Sequence, residues 1–298
     1  MRVKLIDIDS TIPNLALMKL SAYHKKLGDT VGFNVADPEK VYVSVVFAEN
    51  KWKAVSQKMW YPDCEVVIGG SGYDLNVKLP DEIEHIKPDY SLYPDCDYSM
   101  GFTTRGCIRR CKFCIVPKKE GKLRRNCGIY EFWDSAHKHI VLLDNNIFGD
   151  SEHFFLVTDQ ILKEGLSVDF NQGLDMRLIT DDFAQRLHEL KIKPRLRFAW
   201  DNRKDEKAVR HCIEVLQRNG IKRACWYVLV GYNSSREDDL YRLNTLKSLD
   251  QRAYVMRFKE NTKGVRWYND LAAWANQQSF FMKCSFEEFV FKRHNRGM

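Results

Sequence analysis

Hydrophobic positions follow two alternating periods along this chain. Short runs rich in β-branched and aromatic residues read as strands. Between them, apolar residues recur three and four apart, which reads as helix. The first series is VKLIDID (3–9), NLALMKLSAYHKKLG (14–28), TVGFNV (30–35), KVYVSVVF (40–47), KWKAVSQKMW (51–60) and CEVVIGG (64–70). It predicts strand, helix, strand, strand, helix, strand. Leu20 and Leu27 stand seven apart in the first helix, and Gly28 is its expected stop. Residues 77–97 contain three prolines and several acids and read as a connector laid over the surface.

After this connector the rhythm restarts. Strands are predicted within 98–106, 139–148, 167–177, 195–202, 223–235 and 253–260, and helices within 151–165, 180–191, 205–220 and 235–249. Ser151 is expected to cap the first of these helices and Ser235, with Asp238 three residues on, the last. Val209, Cys212, Ile213 and Leu216 fall at i, i+3, i+4 and i+7, so Cys212 is expected in the core, as is Cys225 in its strand. Roughly six βα units imply parallel strands and right-handed crossovers, too few for a closed eight-stranded barrel. The expected fold is α/β: a partial parallel (β/α)6 barrel preceded by a small open α/β layer. The expected boundaries are 1–76 for the small layer, 77–97 for the linker, 98–262 for the partial barrel and 263–298 for a C-terminal extension.

Composition narrows the class. Of 298 residues, 44% are hydrophobic and 29% charged, the balance of a soluble globular protein. The opening MRVKLIDIDST lacks the apolar core of a signal peptide. The apolar run YVSVVFA (42–48) is far short of the ~20 residues a membrane helix needs, so a cytoplasmic protein with no membrane partner is expected. Nine cysteines are an odd number, six of them scattered at 64, 96, 127, 212, 225 and 284, which fits a disulfide framework badly. The net charge of +7 is uneven: Arg105 to Arg125 holds nine Lys/Arg and one acid, Glu120. Such a stretch is either a solvated basic face or a surface for an anionic partner.

The chemistry concentrates in GCIRRCKFCIVPKKEGKLRRN (106–126), where Cys107, Cys111 and Cys114 fall within eight residues. Three such thiolates can bind an iron–sulfur cluster, zinc or nothing. Structural zinc prefers four protein ligands, and there is no second CxxC pair; His137 and His139 are far along the chain for a fourth ligand. A [4Fe–4S] cluster on three cysteines leaves one iron open to a small molecule.

CIRRCKFC, with Phe113 at the aromatic position, has the CxxxCxΦC spacing and so resembles the radical S-adenosylmethionine (radical SAM) superfamily. The resemblance implies a partial (β/α)6 barrel with a cluster loop after its first strand. It implies a [4Fe–4S] cluster on Cys107, Cys111 and Cys114, whose open iron chelates the SAM amine and carboxylate. One electron then cleaves SAM to methionine and a 5′-deoxyadenosyl radical that abstracts a substrate hydrogen. Phe113 and Gly231, in VLVGYNSSRED, would line SAM. LLDNNIF stands where the family binds the SAM amine, which makes Asp144, Asn145 and Asn146 candidates, or else a polar turn. Gln172 and Arg177 in NQGLDMRL, and Asp201 in FAWDN, lie at predicted strand ends, where parallel α/β folds place ligands. Asp175 and Arg177 could equally be a structural pair. Arg257 and Lys259 could bind an anionic group or form a solvated face.

The first 76 residues resemble a shortened cobalamin-binding-type Rossmann domain. The Asp-x-His-x-x-Gly motif that supplies its axial histidine is missing, which argues against bound cobalamin, and GGSG (69–72) reads as a turn. Methylthiotransferases of the superfamily bind a second cluster through three N-terminal cysteines. Here only Cys64 and Cys96 precede Cys107, and no C-terminal RNA-binding barrel is read; both count against that activity. Cys96 and Cys127 flank the loop and are weaker candidates for a second cluster. The basic surround would suit an acidic reductant such as flavodoxin or ferredoxin, or the phosphates of a nucleic-acid or nucleotide substrate. The expected function is therefore a radical SAM enzyme that reductively cleaves SAM and modifies an unidentified substrate, with nucleic acid or nucleotide among the candidates; a non-enzymatic iron–sulfur protein for electron transfer or redox sensing is the competing class.

Overall fold

The two periods of the sequence become parallel strands and covering helices in the computed structural model, which describes residues 1–295. The last three residues of the expected 263–298 extension lie outside the described residues. The chain divides into two compact units, 1–143 and 144 onward.

The first unit begins with β1 (Arg2–Asp7), α1 (Leu15–Lys26), β2 (Thr30–Gly32), β3 (Lys40–Ser44), α2 (Lys51–Trp60) and β4 (Glu65–Gly69). The strands form one sheet in the order β2-β1-β3-β4, with every pairing parallel. Such pairings need crossovers, which put helices on the sheet and give a Rossmann-like layer. Val3 and Leu5 alternate onto the face that meets Leu17 and Leu20 of α1. Val41 and Val43 pack with Ala54 and Ile68 in a second cluster. The Asn14 side chain caps α1 by accepting from the Leu17 N–H. The stretch 77–97 is more than a surface connector. Its short helix α3 (Asp81–Glu84) buries Ile83 in the cluster of Val3, Leu5 and Leu17.

The same unit continues through β5 (Ser99–Gly101), β6 (Thr104–Arg105), α4 (Val116–Lys119), β7 (Arg124–Arg125) and β8 (His139–Leu142). β5 and β8 are parallel, with Ser99 opposite Ile140, and β6 and β7 pair antiparallel. The expected first strand, 98–106, is thus two short strands with different partners. Met100, Val141 and Leu143 pack with Leu15, Tyr98 and Phe102.

The second unit contains α5 (Ser151–Lys163), β9 (Ser167–Phe170), α6 (Asp181–Glu189), β10 (Lys191–Ile192), β11 (Arg197–Ala199), α7 (Glu206–Arg218), β12 (Cys225–Val230), α8 (Arg236–Ser248) and β13 (Arg252–Arg257). β9 pairs with β10, and β11, β12 and β13 form a sheet, all parallel. A Rossmann-like sheet is thus followed by parallel strands alternating with helices, as expected and consistent with a partial barrel. Trp200, Trp226 and Trp274 are fully buried, and the Phe198 and Trp226 rings stack with centroids 5.3 Å apart. Cys212 and Cys225 are buried, as expected.

Two local features differ from expectation. Ser151 is the first helical residue of α5; the cap is Asp150, whose extended backbone lets its carboxylate accept from the His153 N–H at 3.0 Å. A carboxylate there also suits the positive end of the helix dipole. Residues 263–295, within the stretch expected only as an extension, are mostly helical. After α9 (Lys259–Thr262) come α10 (Arg266–Ala275), α11 (Gln278–Phe281) and α12 (Phe286–His294), the last opened by a reciprocal Ser285–Glu288 capping box. Ser235 caps α8 as expected, accepting from the Asp238 N–H at 3.2 Å. Among the described residues no helix is long and apolar enough to cross a membrane.

Candidate functional site

The cysteine loop is built on a clamp. β6 and β7 close its base, with Thr104 opposite Arg125 and Arg105 opposite Arg124. Arg105 lies over the Phe102 ring, 3.7 Å from its centroid, and pairs with both Glu84 and Glu120, the latter at 3.3 Å. Lys19 of α1 also pairs with Glu84, at 3.1 Å. Burial alone would raise the Glu84 carboxyl, but Arg105 and Lys19 outweigh it and hold the group below its ordinary value. The network ties α1, α3 and both ends of the loop together.

Gly106 opens the loop with φ +80°, and a Cβ there would lie 2.2 Å from the Lys122 carbonyl oxygen. Only glycine fits such a close return of the chain. The Cys107 N–H donates to the Gly121 carbonyl at 3.3 Å, and the Cys114 N–H to the Cys111 carbonyl at 3.0 Å. That turn brings the second and third cysteines round. The Arg109 N–H donates to Cys107 Sγ at 3.2 Å. All three cysteines lie outside any disulfide and are half-buried, and Phe113, between the second and third in sequence, is half-buried too. Arg110, Lys112, Lys118, Lys122, Arg124 and Arg125 are exposed.

The donor set fits an iron–sulfur cluster by its chemistry: three cysteines outside any disulfide, one of them accepting a backbone N–H, in a loop lined by cations. Among the described residues, no three His, Cys, Asp or Glu side chains form a set that could hold a metal ion. The flanking cysteines are different in kind. Burial, reinforced by Glu131, pushes the Cys127 thiol up to about 12, and its Sγ donates to the Phe102 carbonyl at 3.2 Å. Burial also raises Cys96, which donates to the Tyr98 carbonyl at 3.2 Å. Cys64 donates to the Pro38 carbonyl at 2.7 Å. His137 is turned to the Ser99 hydroxyl at 3.0 Å.

In the second unit the structure joins some of the expected residues. Asn146 donates to Asp175 at 3.2 Å, and Asp175 accepts from Arg177 Nε at 2.8 Å. Asp175 also takes the Arg177 N–H, so it caps the short turn Met176–Leu178 while it aims the guanidinium. Asp175 is buried and Arg177 about a third exposed, so the pair is both structural and accessible. Asp144 is buried nearby in sequence. Gln172 is exposed, bonds Asn171 at 3.1 Å and has no hydrogen bond to this group.

Asp201 follows β11. Burial pushes its carboxyl above the ordinary value, against the opposing pull of Arg242, the Leu229 N–H and Arg177. Arg242 is wholly buried; it donates to the Trp200 and Leu229 carbonyls at 2.7 and 2.8 Å and pairs with Asp239 at 2.5 Å. Sequence reading missed this pair, because Arg242 and Asp239 look like ordinary polar positions of a charged helix. Gly231 ends β12 at φ +76°, where a Cβ would lie 2.4 Å from Thr262 Cγ2. Its N–H donates to Asp239 at 3.0 Å and its carbonyl accepts from Asn261 at 2.8 Å. The glycine is therefore demanded by the chain's own return at Thr262. Arg257 bonds Asn269.

No protein-family model matches the chain. Two relatives are similar over part of it. The tRNA-2-methylthio-N(6)-dimethylallyladenosine synthase of Flavobacterium johnsoniae is 32% identical over 112 residues, 34% of this chain and 21% of that protein. The synthase of the same name from Flavobacterium psychrophilum is 31% identical over 112 residues, with the same shares. The chain spans about a fifth of the length of these curated relatives, and the similarity is distant and partial.

Proposed function

We propose that this chain is a radical SAM enzyme that modifies tRNA. The observation that carries the reading is the clamped loop that holds three half-buried cysteines, none of them in a disulfide, at positions 107, 111 and 114. The partial similarity to two tRNA-modifying synthases supports the substrate class. A [4Fe–4S] cluster on Cys107, Cys111 and Cys114 would supply the electron that splits SAM.

The remaining roles belong to the chain's own side chains. The Arg105 clamp fixes the ends of the loop. The exposed cations along it present positive charge to RNA phosphates or to an acidic reductant such as flavodoxin or ferredoxin. Asp175 holds Arg177 so that its guanidinium can take a carboxylate or phosphate, for which a fixed fork is the best partner. Asp201 offers a half-buried carboxyl that Arg242 attracts. The methylthio product named for the relatives is not carried over, since the similarity covers only 21% of their length.

The test is anaerobic. Protein reconstituted with iron and sulfide is reduced, given SAM, and assayed for 5′-deoxyadenosine beside Cys111→Ala. Product from the wild type alone is expected, and digests of treated tRNA should then show a new nucleoside mass. Iron-loaded wild type that makes no 5′-deoxyadenosine would overturn the enzyme reading.

A further inference from the structure

Helix α2 carries a surface that the proposed chemistry does not use. Ala54 is its one buried residue. Trp52 is 66% exposed, Met59 83% and Trp60 75%. An ordinary amphipathic helix turns such side chains inward. Here the cluster beneath, Val41, Val43, Ala54 and Ile68, is complete without them. Contiguous exposed apolar side chains of this size mark an interaction site.

The arrangement indicates the partner. At about 100° per residue, Trp52, Val55 and Met59 fall on one stripe, with Trp60 at its edge. Lys53 lies on one flank of that stripe and Lys51 and Lys58 on the other. All three lysines are exposed, and the helix contains no acid. Lys53 lies 5.6 Å from the Trp52 ring centroid, and Lys51 lies 4.9 Å over Tyr73. Flat π faces bordered by cations are what an unpaired nucleic-acid strand requires, since bases stack on the rings while lysines neutralise the phosphates. Reading base edges in a groove would call for Arg, Asn or Gln, and α2 offers only Gln57, which is half-buried.

We propose that α2 is a docking face for an unpaired stretch of RNA, with Trp52 and Trp60 as stacking platforms and Lys53 and Lys58 as phosphate contacts. The choice of RNA rests on the function proposed above; the stacking face itself rests on the exposure and charge of α2.

The experiment uses the full chain and two probes, an unmodified tRNA transcript and a labelled oligouridine strand, with binding followed by anisotropy. Trp52→Ala/Trp60→Ala should weaken oligouridine binding at least ~tenfold, since a stacked base is worth ~1–3 kcal/mol. Trp52→Phe/Trp60→Phe should retain most of it. Lys53→Gln/Lys58→Gln should flatten the salt dependence by ~0.7 per lysine. All of these side chains are exposed, so melting temperature, iron loading and RNA-independent 5′-deoxyadenosine formation should hold. RNA binding unchanged in the alanine pair would overturn the face while leaving the proposed function intact. A wild type that cleaves SAM yet binds no RNA would overturn the face and the tRNA substrate together. Two other results would overturn the RNA assignment if RNA binding persists in the pair. One is loss of wild-type binding to phosphatidylglycerol vesicles, which assigns α2 to lipid. The other is loss of self-association, which assigns it to a second copy of the chain.

Discussion

Arg105 and Glu120 pair at 3.3 Å across the base of the cysteine loop. One residue enters the loop and the other follows α4, so a single guanidinium joins the two ends. Glu84 is its second partner. Removing the cation leaves two largely buried carboxylates with only Lys19 and Lys119 as ionic partners, and poorly compensated buried charge is costly. Arg105→Met should lose about 3 kcal/mol of stability in urea unfolding, the low end for a buried pair, because this one is not wholly dry. Iron retained after reconstitution should fall with it. Arg105→Lys should recover part of both, because it keeps the charge and loses the fork. A variant as stable as the wild type would show that the clamp is ornamental.

The same network sets an acid limit. The Glu84 carboxyl is held below its ordinary 4.5 by Arg105 and Lys19 despite burial. A depressed carboxylate contributes stability that is full above the unfolded value and is lost as pH falls through the folded value. The melting temperature should therefore be flat from neutral pH down to about 4.5 and then fall. In Glu84→Gln the plateau should sit lower and the acid-side drop should be shallower. Parallel wild-type and variant curves would remove Glu84 as a cause.

Much of this was legible in the chain. Val209, Cys212, Ile213 and Leu216 announce a buried helix face, and all four are buried. Ser235 announces a cap because the signal is local. Ser151 misleads because the residue before it, Asp150, is the better acceptor. The clamp of Arg105, Glu84 and Glu120 was not legible, since its partners are 21 and 15 residues away and charge alone does not say which acid a cation will meet. Helix α2 was legible as a helix, but periodicity names a stripe without naming the side that is buried. The capping box at Ser285 and Glu288 was readable and would have exposed a helix in the extension. Of the candidate site, the thiol spacing stood out, whereas the link of Asn146 to Asp175 depends on where two distant turns come to rest.

The cysteines should sort by reactivity. Cys107, Cys111 and Cys114 are half-buried, whereas Cys127 is pushed up to about 12 by burial and Glu131, and Cys212 is raised by burial. The thiolate is the nucleophile, so a raised thiol reacts slowly. Iodoacetamide at mildly alkaline pH should label the three loop cysteines at least ~tenfold faster than Cys127 or Cys212, as read by peptide mass spectrometry. Iron and sulfide loading should protect those three together. Protection of Cys127 as well would point to a different ligand set.

Asp201 offers a test that separates function from packing. Burial raises its carboxyl above the ordinary 3.8 even with Arg242 and Arg177 drawing it down. A raised acid contributes its stability below the unfolded value and loses it as pH rises through the folded value, so at neutral pH the half-buried charge is a net cost. Asp201→Asn removes that charge and keeps an oxygen to accept from the Leu229 N–H. It should melt a few degrees higher at pH 7, with the gain shrinking as pH falls toward about 3.8. A residue that serves only packing would show the gain alone. If Asp201 serves SAM or substrate, 5′-deoxyadenosine formation should fall as the melting temperature rises, the pattern of a site kept strained for its chemistry. A lower melting temperature would show instead that the carboxylate holds Arg242 in place, and its role would be structural.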